Sequence, residues 1–260
     1  MNDEIREALK LELIYQSMAI DKPKDIIIVV HNQLQHVRQC IESVKQHTKL
    51  YQLWIWDNNS TDGTREYLKS LENINLFLHD TNIGFIEPNN IISQKCNSEY
   101  IILLNSDTIV RDGWDLSLLG YLQNNPNTKQ VGYMGGLLDA EGYGCGIAYG
   151  ENIDYVMGWC CCFELATCVP TLFDSAFHFA YFEDADLSLR IKSKGYSVYG
   201  LHLRYVDHFG NITARSISES LLPILFNNQK VFFSKWGKYL EKDRILTKIS
   251  KALPQNCAIM

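Results

Sequence analysis

The strongest constraint on the fold is a series of short apolar runs in the first half of the chain. These runs are residues 26–30, 53–56, 74–78, which Asn75 interrupts, and 101–104. Between them, apolar residues recur every three or four positions, as they do on one face of a helix. Strands that are apolar on both faces and alternate with helices predict a mostly parallel sheet with right-handed crossovers. Residues 25–125 are therefore predicted to form a doubly wound α/β half.

The sequence changes character from about residue 125, where glycines crowd into short segments. This pattern predicts a smaller, mixed or antiparallel region over residues 126–215. Within it we expect one strand over residues 155–163 and a helix over residues 183–194 that ends at Gly195. Residues 1–24 are predicted to be a leading helix and a hinge. Residues 216–260 are predicted to form closing helices on the same domain, which as a whole spans residues 25–215.

The charge balance argues against a nucleic-acid partner. The chain has 260 residues, a net charge of −6 and scattered rather than banded Lys and Arg residues. No apolar run approaches the roughly 20 residues needed to span a bilayer, and the first 20 residues lack a secretory signal pattern. We therefore expect a cytoplasmic protein. A peripheral membrane contact through residues 217–251 stays open.

The eight cysteines do not indicate a zinc site, because they show neither Cys-x-x-Cys spacing nor suitable histidine pairing. Residues 160–162 are three consecutive cysteines in an apolar context. Free cysteine there behaves as a small hydrophobic residue, so buried thiols are predicted. A glycosylation sequon at residues 211–213 has no consequence without secretion.

Two polar residues directly follow the fourth apolar run. Asn105 and Asp107 are one residue apart, so in a continuing strand they would project from the same side. Open α/β sheets bind ligands at the carboxyl ends of their strands. A carboxylate and an amide at that edge suit a hard cation or the hydroxyl groups of a polyol.

Three further polar clusters follow predicted strands, and each has a purely structural explanation. Residues 57–62 could provide turn and helix-cap chemistry. Glu183, Asp184 and Asp186 would suit the positive end of a helix dipole. His208 could be a hydrogen-bonded core histidine. Taken singly, these clusters do not decide between structure and function.

The order of the clusters along the chain resembles a known family. The motifs are Asp-Asn-Asn-Ser-Thr-Asp-Gly-Thr at residues 57–64, Asn-Ile-Gly-Phe at 82–85, Leu-Leu-Asn-Ser-Asp-Thr at 103–108, the run from Tyr181 to Arg190, and Val-Asp-His at 206–208. Together they resemble family 2 glycosyltransferases of the GT-A fold, and within that family a bacterial rhamnosyltransferase-like branch. The resemblance covers roughly residues 25–210.

The resemblance implies a Rossmann-like GT-A domain that acts as an inverting hexosyltransferase. The donor would be a UDP- or dTDP-sugar, with rhamnose or a related sugar, and the acceptor a hydroxyl of a glycan or glycoconjugate. Residues 25–125 would be the nucleotide-binding half and residues 126–215 the acceptor half. By position, the nucleotide-binding residues would be Asp57, Asn59, Asp62, Asn82, Gly84, Asn105 and Ser106.

The same resemblance assigns the chemistry to four residues. Asp184 would be the general base, with Glu183 orienting the acceptor or raising the pKa of Asp184 through like charge. Asp107 and His208 would hold Mn²⁺ or Mg²⁺, which takes only one or two protein carboxylates beside phosphate oxygens and water. Such a cation stabilises the charge that builds up on a diphosphate leaving group.

Two positions depart from the family pattern. Asn105 stands where the first acid of the metal motif is expected, so a direct ligand there is doubtful and contact through water or with ribose is the alternative. Trp159 lies in the segment that lines the acceptor side, where it could stack on a sugar or serve as a core residue.

Two other classes of function compete with the transferase. A degenerate transferase that only binds nucleotide sugars or carbohydrate would explain Asn105 as a mark of lost metal chemistry. A nicotinamide-dependent oxidoreductase would use a similar sheet, but no Gly-x-Gly-x-x-Gly motif follows the first strand, where His31, Asn32 and Gln33 stand instead.

Overall fold

A computed structural model describes residues 3–139, 141–168, 171–202, 204–210 and 218–252. Seven helices lie in these ranges: α1 Asp3–Met18, α2 Leu34–His47, α3 Thr64–Lys69, α4 Ile86–Ser93, α5 Trp114–Asn124, α6 Glu183–Ser193 and α7 Ser218–Ala252. The strands of the first half are β1 Lys24–Val30, β2 Tyr51–Asn58, β3 Asn75–His79, β4 Tyr100–Leu104 and β5 Thr108–Val110. Those of the second half are β6 Thr128–Gly132, β7 Gly135–Leu138, β8 Gly144–Ala148, β9 Tyr155–Val156, β10 Cys160–Glu164, β11 Ser197–Gly200 and β12 Val206–His208.

A seven-stranded, mostly parallel sheet forms the centre of the molecule, in the order β11-β6-β10-β4-β1-β2-β3. Strands β4, β1, β2 and β3 pair in parallel, as the alternation of apolar runs and helical patterns predicted. β10 runs antiparallel between β4 and β6. The predicted α/β class with a mostly parallel central sheet is confirmed. Two smaller sheets accompany it: β8-β7-β9 and the antiparallel pair β12-β5.

The two faces of the central sheet bury separate apolar clusters. On β1, Ile26 and Ile28 belong to one cluster, which α2 and α5 cover, while Ile27 belongs to the other, which α4, α6 and α7 cover. Consecutive residues of a strand point to opposite faces, so a strand buried on both faces must be apolar throughout. This explains the unbroken apolar runs of β1, β2 and β4, whereas the edge strand β3 is only partly buried and contains Asn75.

The three consecutive cysteines lie on β10 and are buried, as predicted. Cys160 and Cys162 pack into one cluster and Cys161 into the other. Burial raises the pKa of the Cys160 and Cys162 thiols well above the ordinary value, so both stay protonated. The sequon at 211–213 lies outside the described residues.

The second half differs from the sequence prediction in two respects. Its strands β6, β10 and β11 join the same central sheet as the first half, so the two predicted halves share one core. The single strand predicted over residues 155–163 is wrong. A turn at Gly158 separates β9 from β10, and these strands belong to different sheets. The closing helices form one continuous helix, α7. No described helix combines the length and apolar character needed to cross a membrane.

Candidate functional site

A pocket of about 480 Å³ lies at the carboxyl ends of β1, β2 and β4. This is the edge at which parallel α/β sheets bind ligands. Nine of the predicted site residues line it: Asn82, Gly84, Asn105, Ser106, Asp107, Trp159, Glu183, Asp184 and His208. The fold therefore brings together residues that the sequence separates by more than a hundred positions.

Strand pairing brings Asp107 and His208 together. In the β5–β12 pair His208 lies opposite Thr108, and the Phe209 N–H donates to the Asp107 carbonyl over 3.0 Å. The side chains consequently approach each other, with His208 Nε2 3.2 Å from Asp107 Oδ1. Both side chains are mostly buried. This contact does not have the geometry of a hydrogen bond. Within the part of the chain described, the buried Nε2 atom of His208 therefore has no hydrogen bond.

This pair fits a divalent cation. Two adjacent ligands of an octahedral ion with bonds of about 2.1 Å lie about 3 Å apart, which is close to the Nε2–Oδ1 separation. A carboxylate and an imidazole suit manganese, and a carboxylate suits magnesium. No group of three or more His, Cys, Asp or Glu side chains among the described residues could hold a metal ion. The chain thus offers a two-ligand seat that leaves coordination positions for other oxygens.

Trp159 packs against the histidine of this pair. The indole and imidazole rings stack with centroids 4.6 Å apart and planes inclined by 12°. The Trp159 carbonyl also accepts the Asn105 N–H over 2.8 Å. One face of the indole is therefore covered by His208, and the stack restricts rotation of the imidazole. This contact links Trp159 to the Asp107–His208 side of the pocket.

Glu183 and Asp184 open helix α6 and face the same pocket. The Gly158 N–H donates to Asp184 Oδ2 over 3.0 Å and the Ala185 N–H to Oδ1 over 2.8 Å. Burial raises the pKa of Asp184, while these two N–H groups favour its charged form. Gly158 is close enough that an added Cβ would lie 3.2 Å from the Asp184 Cβ.

The pKa values of the two carboxyl groups have different causes from those that the sequence led us to expect. Burial first, and then the charge of Asp184, raises the pKa of Glu183 to about 8. Burial, not Glu183, is the main cause of the raised pKa of Asp184. The Glu183 Oε2 atom is buried without a hydrogen-bond partner among the described residues. A pKa near 8 leaves Glu183 mostly protonated at neutral pH.

A strained segment before α6 positions these carboxyl groups. Phe179, Tyr181 and Phe182 all have positive φ, at 67°, 79° and 71°. Buried Asn228 of α7 holds the segment through its amide. Its Nδ2 donates to the carbonyls of His178 (2.8 Å), Ala180 (2.9 Å) and Tyr181 (3.2 Å), and its Oδ1 accepts the His178 N–H (3.1 Å).

Helix α7 also anchors α6 itself. Trp236 Nε1 donates to Asp186 Oδ1 over 2.8 Å, and Arg190 Nε bonds Asp186 Oδ2 over the same distance. Sequence reasoning missed the role of Asn228, because an Asn inside an amphipathic helix pattern gives no signal of a distant backbone partner. The Asp186–Arg190 ion pair spans four residues of α6, about one helical turn.

The predicted loop at residues 82–85 lies against the same strained segment. Gly84 has φ of +86°, and a Cβ on it would lie 2.5 Å from the Phe179 backbone, so only glycine fits. Asn82 Oδ1 accepts the Gly84 N–H over 3.0 Å. The Phe179 carbonyl in turn accepts the Phe85 N–H at the start of α4. The 82–85 loop therefore packs directly against the segment before α6.

Three predicted nucleotide-binding residues lie outside the described lining of the pocket. The Asp57 carboxylate is fully buried, 2.6 Å from Arg65 Nε, and accepts the Ser60 N–H. Asp62 accepts backbone N–H groups at the starts of α2 and α3. Asn59 lies between Asp57 and Asp62 in the sequence and has φ of 60°.

The alternation of β2 explains the placement of Asp57. Successive strand residues point to opposite sides, so Asp57 turns away and Asn58 turns toward the pocket. The Asn58 amide binds the 82–85 loop, donating to the Gly84 carbonyl over 2.8 Å and accepting the Ile83 N–H over 3.2 Å. His31, after β1, also lines the pocket and bonds the Asn58 carbonyl over 2.8 Å. Neither residue was singled out from the sequence.

The turn after β4 differs from the sequence picture in one detail. The strand ends at Leu104, so residues 105–107 do not continue its alternation. Asn105, Ser106 and Asp107 all line the pocket. The turn is held by the Asn105 carbonyl, which accepts the Thr108 hydroxyl over 2.7 Å.

Comparison with known proteins supports the resemblance. Residues 25–134 match the family model "Glycosyl transferase family 2". An uncharacterised glycosyltransferase of Haemophilus influenzae (strain Rd) is 24% identical over 128 residues, which cover 47% of this chain and only 39% of that relative.

Two solved structures share the fold. GalNAc-T7 with UDP, GalNAc and Mn²⁺ has a TM-score of 0.62 at 14% identity, over 80% of this chain and 53% of that one. The mannosyltransferase PcManGT of Pyrobaculum calidifontis, in complex with GDP-Man and Mn²⁺, has a TM-score of 0.54 at 12% identity, over 96% of this chain and 90% of that one. The fold of this chain is of the GT-A type, and its residues 25–134 match glycosyl transferase family 2.

Proposed function

We propose that this chain is an inverting glycosyltransferase that moves a sugar from a nucleoside-diphosphate donor to a hydroxyl group of a glycan or glycoconjugate. The observation that carries the proposal is the meeting, in one pocket, of the Asp107–His208 pair and the Asp184 carboxylate. The family match and the shared fold support glycosyl transfer as the reaction class.

The carboxyl groups suit acid–base chemistry on the acceptor. In the proposed step the acceptor hydroxyl passes its proton to Asp184 while its oxygen bonds to the anomeric carbon of the donor sugar. The bond from that carbon to the diphosphate oxygen breaks, and the nucleoside diphosphate leaves. General-base catalysis of this kind contributes about 10²–10⁴-fold in rate. Protonated Glu183 would donate a hydrogen bond to the acceptor or the sugar.

Asp107 and His208 would hold the divalent cation, Mn²⁺ or Mg²⁺. Both structural neighbours described above contain Mn²⁺. When bound, such a cation offsets negative charge on a diphosphate leaving group. Asn105 replaces the first acid of the motif, and we assign it to donor ribose or to a water rather than to direct coordination. Trp159 keeps His208 in the orientation needed for coordination.

The donor sugar is proposed to be rhamnose or a related hexose on UDP or dTDP, as the resemblance implies. The two fold neighbours carry UDP in one case and GDP-Man in the other. Asp57 is fully buried, is paired with Arg65 and lies outside the pocket lining, so we do not assign it to a uracil or thymine base. Recognition of the nucleotide is therefore proposed for the wall formed by His31, Asn82 and Gly84, and GDP-sugars belong in the same test.

The test is a thermal-shift panel of UDP-, dTDP- and GDP-sugars with and without Mn²⁺, followed by a transfer assay. A true donor at a hundredfold excess over its dissociation constant should stabilise the fold by about 2.7 kcal/mol. Stabilisation that needs both nucleotide sugar and Mn²⁺, followed by release of nucleoside diphosphate, supports the proposal. Binding without any transfer or hydrolysis would instead identify a degenerate, non-catalytic transferase. Absence of binding by every nucleotide sugar would refute both.

A further inference from the structure

Helix α7 exposes an apolar stripe that the proposed chemistry does not use. Leu222, Phe226 and Phe233 are 51%, 53% and 49% exposed. At 3.6 residues per turn these three positions fall within about 40° of one another around the helix. One exposed face therefore carries three large apolar side chains, with Gln229 between Phe226 and Phe233, and such a grouping is uncommon on a surface that meets only water.

The charge of the helix contrasts with that of the whole chain. The sequence of α7 contains seven Lys or Arg residues and three Asp or Glu residues, whereas the chain has a net charge of −6. Exposed Lys230 lies between Phe226 and Phe233 in the sequence, four and three residues away, so it neighbours both on the helix surface. An apolar stripe with Lys residues beside it is the pattern of a helix that lies on an anionic membrane surface.

The stripe begins next to a residue that lines the pocket. Leu221 lines the pocket, and the next residue, Leu222, is the first member of the stripe. The opposite face of the helix carries Asn228, which holds the segment before Glu183 and Asp184. A surface that covers the stripe therefore also lies close to the pocket that Asp184 lines.

We propose that the outer face of α7 docks on an anionic lipid bilayer, so that the pocket opens toward an acceptor carried by the membrane. The acceptor part of this inference rests on the proposed transferase function, whereas the docking part does not. A second copy of the chain fits less well, because a twofold interface would place one basic helix against the other. The bilayer offers both an apolar interior edge and the opposite charge.

The first experiment is co-sedimentation of the full chain with phosphatidylcholine vesicles and with vesicles of equal parts phosphatidylcholine and phosphatidylglycerol. We expect binding to the anionic vesicles that weakens with salt. The variant Leu222→Ser/Phe226→Ser/Phe233→Ser should bind them at least about tenfold more weakly, since each change removes apolar area from the interface. Lys230→Glu should weaken binding to anionic vesicles by a smaller factor.

A matched control exists on α1, which also exposes large apolar side chains but contains four acidic and two basic residues. Leu11, Ile14 and Met18 are 44%, 50% and 57% exposed. The triple Ser variant of these three should keep vesicle binding. Thermal unfolding of both triple variants checks that each is folded.

The inference is overturned if the folded wild-type chain fails to bind anionic vesicles, or if the α1 variant loses binding as much as the α7 variant. Sedimentation velocity without lipid tests the other occupant: a dimer that the α7 changes dissociate would show that a second copy covers the stripe. Binding of UDP with Mn²⁺ by the α7 variant is measured in parallel. Because the stripe lies outside the pocket, the variant should bind UDP with Mn²⁺ as tightly as the wild type does. If the wild type itself does not bind UDP with Mn²⁺, that result would count against the proposed function alone.

Discussion

The two walls of the pocket are built in different ways. The wall formed by β1, β2 and β4 consists of regular parallel strands whose carboxyl ends deliver His31, Asn58 and the 105–107 turn. The opposite wall, residues 177–184, is irregular and contains three residues with positive φ other than glycine. The first wall is positioned by the sheet itself. The second depends on hydrogen bonds from α7, more than forty residues farther along the chain.

This difference suggests that the two walls have different functions. Residues held in sparsely populated backbone conformations persist only where the surrounding structure determines them, and they often occur at functional sites. The sheet wall should therefore bind the nucleotide and cation with little dependence on α7, while the irregular wall should control the rate of the chemical step.

The largest expected effect is on Asp184, in the irregular wall. Asp184→Asn should lower the transfer rate by about 10²–10⁴-fold, since an amide cannot accept the acceptor proton. Binding of UDP with Mn²⁺, measured by calorimetry, should change little, because Asp184 belongs to the other wall. The exposed acid Glu141 provides a control, and Glu141→Gln should leave both quantities unchanged. A variant that transfers sugar at the wild-type rate would rule out Asp184 as the base.

A smaller effect is expected for the positioning residue Asn228. Asn228→Ala leaves three backbone carbonyls and one N–H of residues 178–181 without their partner. The free energy of unfolding should fall by about 1–3 kcal/mol. The change should appear in kcat more than in the affinity for UDP with Mn²⁺, which distinguishes positioning of Asp184 from general loosening.

The neighbouring residue Asn227 is exposed and serves as the matched control. Asn227→Ala should change stability by no more than about 0.5 kcal/mol. If Asn228→Ala weakens nucleotide binding as much as it slows transfer, the two walls are not independent, and the comparison fails.

A further effect is expected on the pH dependence of stability through Glu183. Its pKa in the folded chain is raised from 4.5 to about 8, so its contribution to the free energy of unfolding is full below about pH 4.5 and is lost as the pH rises toward 8. Glu183→Gln removes this loss. Its melting temperature relative to wild type should therefore increase between pH 5 and pH 8. A difference that stays constant over this range would show that Glu183 is not protonated in the folded chain.

The sequence predicted the regular strands of the sheet better than the irregular segments around them. The apolar runs predicted the parallel strands, because a strand that is buried on both faces is apolar along its length. The motifs also identified Asp107, Asp184 and His208, which the fold brings to one pocket. The separation of β9 from β10 was missed, because Gly158 lies within an otherwise apolar stretch.

The sequence could not give the orientation of Asp57 or the role of Asn228. Asp57 and Asn58 are adjacent polar residues at the end of one strand, and only the register of β2 decides which of them faces the pocket. The partners of Asn228 are backbone groups in a distant segment, which leave no mark on residue type. Both failures concern where a side chain points rather than which element carries it.

The central claim is that Asp107 and His208 act as one cation seat beside Asp184, and a double-mutant cycle tests it most directly. Mn²⁺ affinity in the presence of UDP is measured by electron paramagnetic resonance for the wild type, Asp107→Ala, His208→Ala and the double variant. Each single change should weaken Mn²⁺ binding by about tenfold or more, and the double variant should lose much less than the product of the two, because both ligands serve one ion. Losses that multiply independently, or Mn²⁺ affinity that neither change affects, would contradict the account.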